Sequence, residues 1–252
     1  MNSTTYPLLM VPLDLEIHSR ARHLAAQQST VEKGKRVYLN ALAVYAVHSY
    51  LKWLQIQTDL KESDCWNPVK AALSNVADLV ILNVGKLECC PVLPQETVIL
   101  LPDPIENRIG YVAIQFQESL DSVQLLGFAP AFDEGNPPAQ LVVSELQPIE
   151  SLIEQITRLE EAIAFLQTDD SVAVQVRSVL DNTPLSEIVA QFELLYRTGD
   201  EFEWRYAGGE ILAGSATTVG ATRETIQPDD SELQDLAEML LEKLAEIWGN
   251  VA

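Results

Sequence analysis

"GKLECCPVLP", residues 85–94, marks the place where the chain changes period. Leu87, Cys89 and Pro91 alternate there with Glu88, Cys90 and Val92, which is the two-residue repeat of a strand. Neighbouring residues in a strand point to opposite faces, so Cys89 and Cys90 are expected back to back rather than as a joint ligand pair. Gly85 and Pro91 read as the punctuation of the run. Short apolar runs of the same kind lie on both sides: "DLVILN", "TVILLP", "IGYVAIQF", "SVQLLGFAP" and "AQLVVSEL", each bounded by Gly, Pro, Asn or Asp. Their short connections predict an antiparallel meander.

Upstream of this region the period is helical. "EIHSRARHLAAQQ" (residues 16–28) gathers Ile17, Ala21, Leu24 and Ala25 on one face. After a break at "STVEKGK", with Ser29 or Thr30 as cap, comes "RVYLNALAVYAVHSYLKWLQ". There Leu39, Leu42, Ala43, Ala46, Val47, Tyr50 and Leu54 predict a long core helix. A shorter helix is expected from about Trp66 to Val76, with Pro68 in its first turn. Helices followed by strands predict an α+β unit, N-terminal helices packed on the meander.

After "FDEGNPP" the helical period returns. Ile149, Leu152, Ile156, Leu159, Ile163 and Leu166 keep the spacing of an apolar seam, too short for a free-standing coiled coil and better suited to packing within the chain. Helices are also expected at "SVAVQVRSVL", at "TPLSEIVAQFELLYRTG" and at the end, "SELQDLAEMLLEKLAEIWGN". In the last, Leu233, Ala237, Leu240, Leu244 and Ile247 form the core stripe. "EFEWRYAGG" has a strand-like alternation and "GGEILAGSATTVGATRE" reads as a loop. The resulting division is an α+β domain over residues 1–146 and an acidic, mainly helical domain over 147–252.

Charge separates the halves more sharply than hydropathy. The formal net charge is -21; residues 1–130 carry 10 Lys+Arg against 13 Asp+Glu, and residues 131–252 carry 6 against 24. An acidic surface of this density repels phosphate backbones and anionic membranes and favours basic partners, besides its ordinary role in solubility. Glu238, Glu242 and Glu246 recur at helical spacing with Lys243 as their one nearby relief, and Asp235 precedes them. With Glu201, Glu203 and Trp204 they are the candidate residues for binding a partner. The beginning of the chain lacks the basic region and apolar run of a signal peptide, and no apolar stretch is long enough to cross a bilayer, so a soluble, cytoplasmic protein is expected.

The residues that carry most chemistry are sparse. Cys65, Cys89 and Cys90 with His18, His23 and His48 do not have the paired spacing of a zinc site. No thioredoxin-type motif, phosphate-binding loop, nucleophile elbow or kinase signature occurs. The basic cluster Lys33, Lys35 and Arg36, with Arg20 and Arg22, suits either a phosphate contact or a solvated helix start. No catalytic residue, cofactor or metal is expected.

Taken together, "QQSTVEKGKRVYLNALAVYAVHSYLKWL", "DCWNPV", "ADLVI", "GKLECCPVLP", "RIGYVAIQF" and "LLGFAP" resemble a cyanobacterial domain-of-unknown-function family, DUF1822, over roughly residues 21–130. The acidic half carries no matching motif. The resemblance brings no catalytic residues; it implies the company of regulatory genes, including sigma-type transcription factors and caspase-like signalling proteins. The function expected is a non-enzymatic regulatory or adaptor protein whose acidic half binds a basic protein. The alternatives are a small-molecule or peptide sensor with a pocket between helices and sheet, and an enzyme dependent on Cys89 or Cys90.

Overall fold

The computed structural model describes residues 9–67, 70–71, 77–101, 108–131, 139–180, 183–189 and 231–249. The chain forms two compact units, the second taking up the helical region from Glu154 onward.

Among the described residues, the first unit is built on two long helices and a six-stranded sheet. Strand β1 (Leu9–Pro12) leads into α1 (Leu15–Ala26), which Asp14 caps by accepting from the Ile17 N–H at 2.8 Å. Helix α2 (Val31–Trp53) starts at Thr30, one of the two expected caps, which accepts from the Lys33 N–H at 3.2 Å and makes "VEKGK" the first helical turns. Gly34 lies in those turns, where a Cβ would stand 2.9 Å from the Ala25 carbonyl oxygen; its absence lets α1 and α2 cross closely. Ala41, Leu42, Ala43, Val44, Ala46, Val47 and Leu51 are all fully buried, so α2 is a core helix with apolar residues almost all round.

Strands β2 (Thr58–Asp59), β3 (Asp78–Ile81), β4 (Gly85–Val92), β6 (Arg108–Phe116) and β7 (Ser122–Pro130) complete the sheet with β1, in the order β1-β7-β6-β4-β3-β2. Strand β5 (Val98–Leu100) leaves it to pair with β8 (Gln140–Val142) as a separate ribbon. The α+β class holds, but the purely antiparallel meander does not: β4 and β6 are parallel neighbours. The cause is β5. Once that segment pairs elsewhere, residues 93–107 become one crossover, long enough to return the chain in the same direction.

Pro91 does not end β4, which runs on to Val92. The Cys89 N–H donates to the Ala77 carbonyl on the β3 side, and position 91 faces that same side beyond the paired part of β3. The N–H that proline lacks therefore has no ladder partner to lose. The outer edge of β7 is shared: β1 pairs with its first half, and Gln147 exchanges both backbone hydrogen bonds with Phe128 further along.

In the helical region, α3 (Glu150–Leu166), α4 (Ser171–Val179), a helical turn at 185–189 and α5 (Ser231–Gly249) are described. The seam residues Ile149, Leu152, Ile156, Leu159, Ile163 and Leu166 are all buried within the single chain, as expected of intrachain packing. Within the second unit, Arg177 donates from Nη1 to the Leu166 and Thr168 carbonyls at the end of α3, and Trp248 Nε1 of α5 donates to the Arg158 carbonyl at 3.1 Å. Most of the third helix expected at 66–76, and the expected strand and loop over 201–224, lie outside the described residues; Asp64–Trp66 forms a 3-10 turn.

Candidate functional site

The cysteines of β4 sit where strand alternation puts them, and both are buried. Burial pushes the thiols of Cys65, Cys89 and Cys90 upward, with the neighbouring carboxylates of Asp78 and Glu88 adding to the effect on Cys65. Reactive cysteines need the opposite environment, one that depresses the thiol and admits solvent. His48 is engaged elsewhere: its Nδ1 lies 2.5 Å from Thr58 Oγ1, and His18 Nδ1 lies 2.7 Å from the Tyr38 hydroxyl. Among the described residues no group of His, Cys, Asp and Glu has the arrangement of a metal site.

The concentrated chemistry of the first unit is a buried charge cluster that alternation alone does not reveal. Glu88, 3% exposed, sits in β4 directly opposite Asp78 of β3, which is 1% exposed. Arg108 Nη2 donates to Glu88 Oε2 at 2.8 Å, and the Ala77 N–H donates to Glu88 Oε1 at 2.8 Å. Arg108 also stacks on Tyr111, its guanidinium carbon 5.2 Å from the ring centroid. In an unbroken strand, Arg108 and Tyr111 would face opposite ways. An irregularity at Ile109 removes one residue from the alternation, so that Arg108 pairs with Lys86 and Tyr111 with Glu88 on one face.

Asp78 ties in the 3-10 turn. Its Oδ1 accepts from the Asp64 N–H at 2.7 Å, while Asp64 itself pairs with Lys70 Nζ at 2.8 Å. Asp78 Oδ2 has no hydrogen-bond partner, and Lys86 Nζ stands 4.0 Å from it. Burial raises the proton affinity of both acids and pushes Glu88 up to about 7, against the pull of Arg108 and the Ala77 N–H. The cluster thus clasps β3, β4, β6 and the turn together with charges held out of water. Its members are buried, which suits a structural clasp better than a substrate site.

Acids in the second unit have the opposite setting. Ala237, Leu240 and Leu244 of α5 are buried as expected, together with Leu236, Leu241 and Trp248, while Ile247 is half-buried. The other side of α5 carries Asp235, Glu242 and Glu246, all exposed, and Glu238, half-buried. Lys243 Nζ lies 3.6 Å from Glu246 Oε2. Glu201, Glu203 and Trp204 lie outside the described residues.

Among the described residues, two grooves flank α1. The larger, about 770 Å3, is bounded by Arg22, Gln28, Thr30, Lys35 and Tyr38 at the elbow between α1 and α2; the other lies at Arg20, His23 and Trp66. Among the described residues no helix is long and apolar enough to cross a membrane.

An α+β unit with a buried ionic clasp, joined in sequence to an acidic helical unit, is the class of protein these observations define. The chain belongs to DUF1822, a family of proteins of unknown function, whose profile matches residues 11–246. The match extends well beyond residues 21–130 and takes in the acidic half that carried no recognisable motif. No curated protein and no solved structure matches the chain.

Proposed function

We propose that the chain is a non-enzymatic, cytoplasmic adaptor whose acidic helical half receives a basic surface of a partner protein. The observation that carries this reading is the orientation of α5: its apolar face is buried within the chain, and Asp235, Glu242 and Glu246 point to solvent. Like charges at helical spacing oppose one another, so a basic partner gains attraction and relieves repulsion together. The buried, upward-shifted thiols favour a non-enzymatic role. The family resemblance makes a regulatory protein, of the sigma-type or caspase-like class, the natural partner.

The test is capture of partners from host extract by the full chain at low and at high salt, with the captured proteins identified. Basic proteins retained at low salt and released at high salt support the reading. Capture of none, or of a partner indifferent to salt, contradicts it.

A further inference from the structure

The buried clasp contains more acid than base. Around the Asp78–Glu88 pair are Asp64 and Cys65 from the 3-10 turn, Lys86 and Cys90 from β4 with Cys89 on its opposite face, and Arg108 and Tyr111 from β6. Helix α2, which packs against the same part of the first unit, brings Tyr45 against Trp66 and His48 against Thr58. Among the described residues only Arg108 is a buried cation here; the Lys86 side chain is 34% exposed and 4.0 Å from its acid. Two buried carboxylates directly opposite each other on adjacent strands repel unless one is neutral.

We propose that Asp78 and Glu88 form a single proton-binding pair, and that the proton they share couples docking of the Asp64–Trp66 turn onto the sheet to pH.

The hydrogen bonds assign the positions. Glu88 receives a guanidinium on one oxygen and an N–H on the other, the arrangement that stabilises a charged carboxylate. Asp78 receives a single N–H on Oδ1, and its Oδ2 is buried without a hydrogen-bond partner. These contacts favour Asp78 as the member of the pair that keeps the proton. Removal of that proton places a second negative charge beside Glu88, and among the described residues Arg108 is the buried cation there and already holds Glu88. The charge that appears on Asp78 strengthens the Asp64 N–H contact, which holds the turn against β3. The titration belongs to the pair rather than to either acid, and burial is its leading cause.

The experiment is a pH titration of the full 15N-labelled chain by NMR, following the amide protons of Asp64 and Ala77. These donate to Asp78 and Glu88 respectively, so each reports the ionisation of its own acceptor. The expected result is one common transition at both amides between about pH 5 and pH 8, with hydrogen exchange at Asp64, corrected for its intrinsic pH dependence, slowing above it. In Asp78→Asn the transition at the Ala77 amide moves to lower pH, because the charge of Asp78 is gone while the burial of Glu88 remains, and an unmoved transition contradicts the pair. Wild-type amides that titrate only below about pH 5, or that do not titrate, overturn the shared proton. An Asp64 amide as protected above the transition as below it overturns the coupling to the turn. If Asp78→Asn does not fold, unfolding of wild type against Glu88→Gln across the same range decides: a loss of stability with rising pH that the variant lacks supports the pair, and identical profiles contradict it.

Discussion

Acids in the two units meet opposite fates. In the first unit, Asp78 and Glu88 are withdrawn from water and each contact is assigned: Ala77 and Arg108 to Glu88, Asp64 to Asp78. On α5, Asp235, Glu242 and Glu246 remain in solvent, with Lys243 near one of them. A buried carboxylate is useful only where its geometry is specified, because its desolvation must be offset contact by contact. An exposed one costs little and stays available. The first unit uses acids to fix a strand arrangement; the second displays them.

The largest effect expected from breaking this contrast is at Arg108. Arg108→Ala leaves Glu88 buried without its counter-ion and removes the packing on Tyr111, so chemical denaturation should show a loss of about 3–5 kcal/mol. A loss under about 1 kcal/mol, the usual worth of an exposed pair, means the clasp is not desolvated as described. Next in size is Gly110→Ala. A Cβ there would run into the Phe128 ring and lie 2.5 Å from the Ala129 carbonyl oxygen, between β6 and β7. Backbone has to move, and a loss of about 1–3 kcal/mol is expected from the same measurement.

A smaller, pH-dependent effect sharpens the comparison. Folding raises the proton affinity of the buried pair, so the folded chain keeps a proton that the unfolded chain has already released. Stability is therefore greatest on the acid side and is lost as pH rises from about 4.5 toward about 7, by on the order of 2 kcal/mol. His48 acts in the other direction: burial and then Lys52 lower its proton affinity, so its contribution is lost as pH falls below 6.5. Comparing wild type with Glu88→Gln isolates the pair, since the negative slope disappears in the variant while that of His48 remains.

Much of the skeleton was legible in the sequence. The seam from Ile149 to Leu166 is buried as its spacing predicts, α1, α2, α4 and α5 stand close to their predicted positions, and β4 contains both cysteines. The strand neighbours were less legible, because alternation records which way side chains point and not which strand lies alongside. The parallel β4–β6 pair depends on β5 leaving the sheet, and "TVILLP" gives no local sign of that. Strands β1 and β2 are short and lack clear alternation, so they carry little periodic signal. The clasp was hidden for a related reason. Arg108 reaches the face of Glu88 through the irregularity at Ile109, and nothing in "NRIGYV" distinguishes it from regular strand. Only Gly110, in the adjoining position, hints at a departure. The acids of α5, by contrast, were legible from spacing alone, because exposure on a helix follows its period.

The smallest expected effect on stability has the largest bearing on function. Replacing Glu238, Glu242 and Glu246 of α5 together by Gln removes like charges from one face, and Tm should stay within about 2 °C of wild type or rise slightly. The same variant provides the most direct measurement of the central proposal: quantitative capture of basic partners from host extract at low salt, wild type against triple variant. Retention that falls at least severalfold in a variant of unchanged stability is the predicted result. Equal retention by both proteins would contradict the assignment of partner binding to this face.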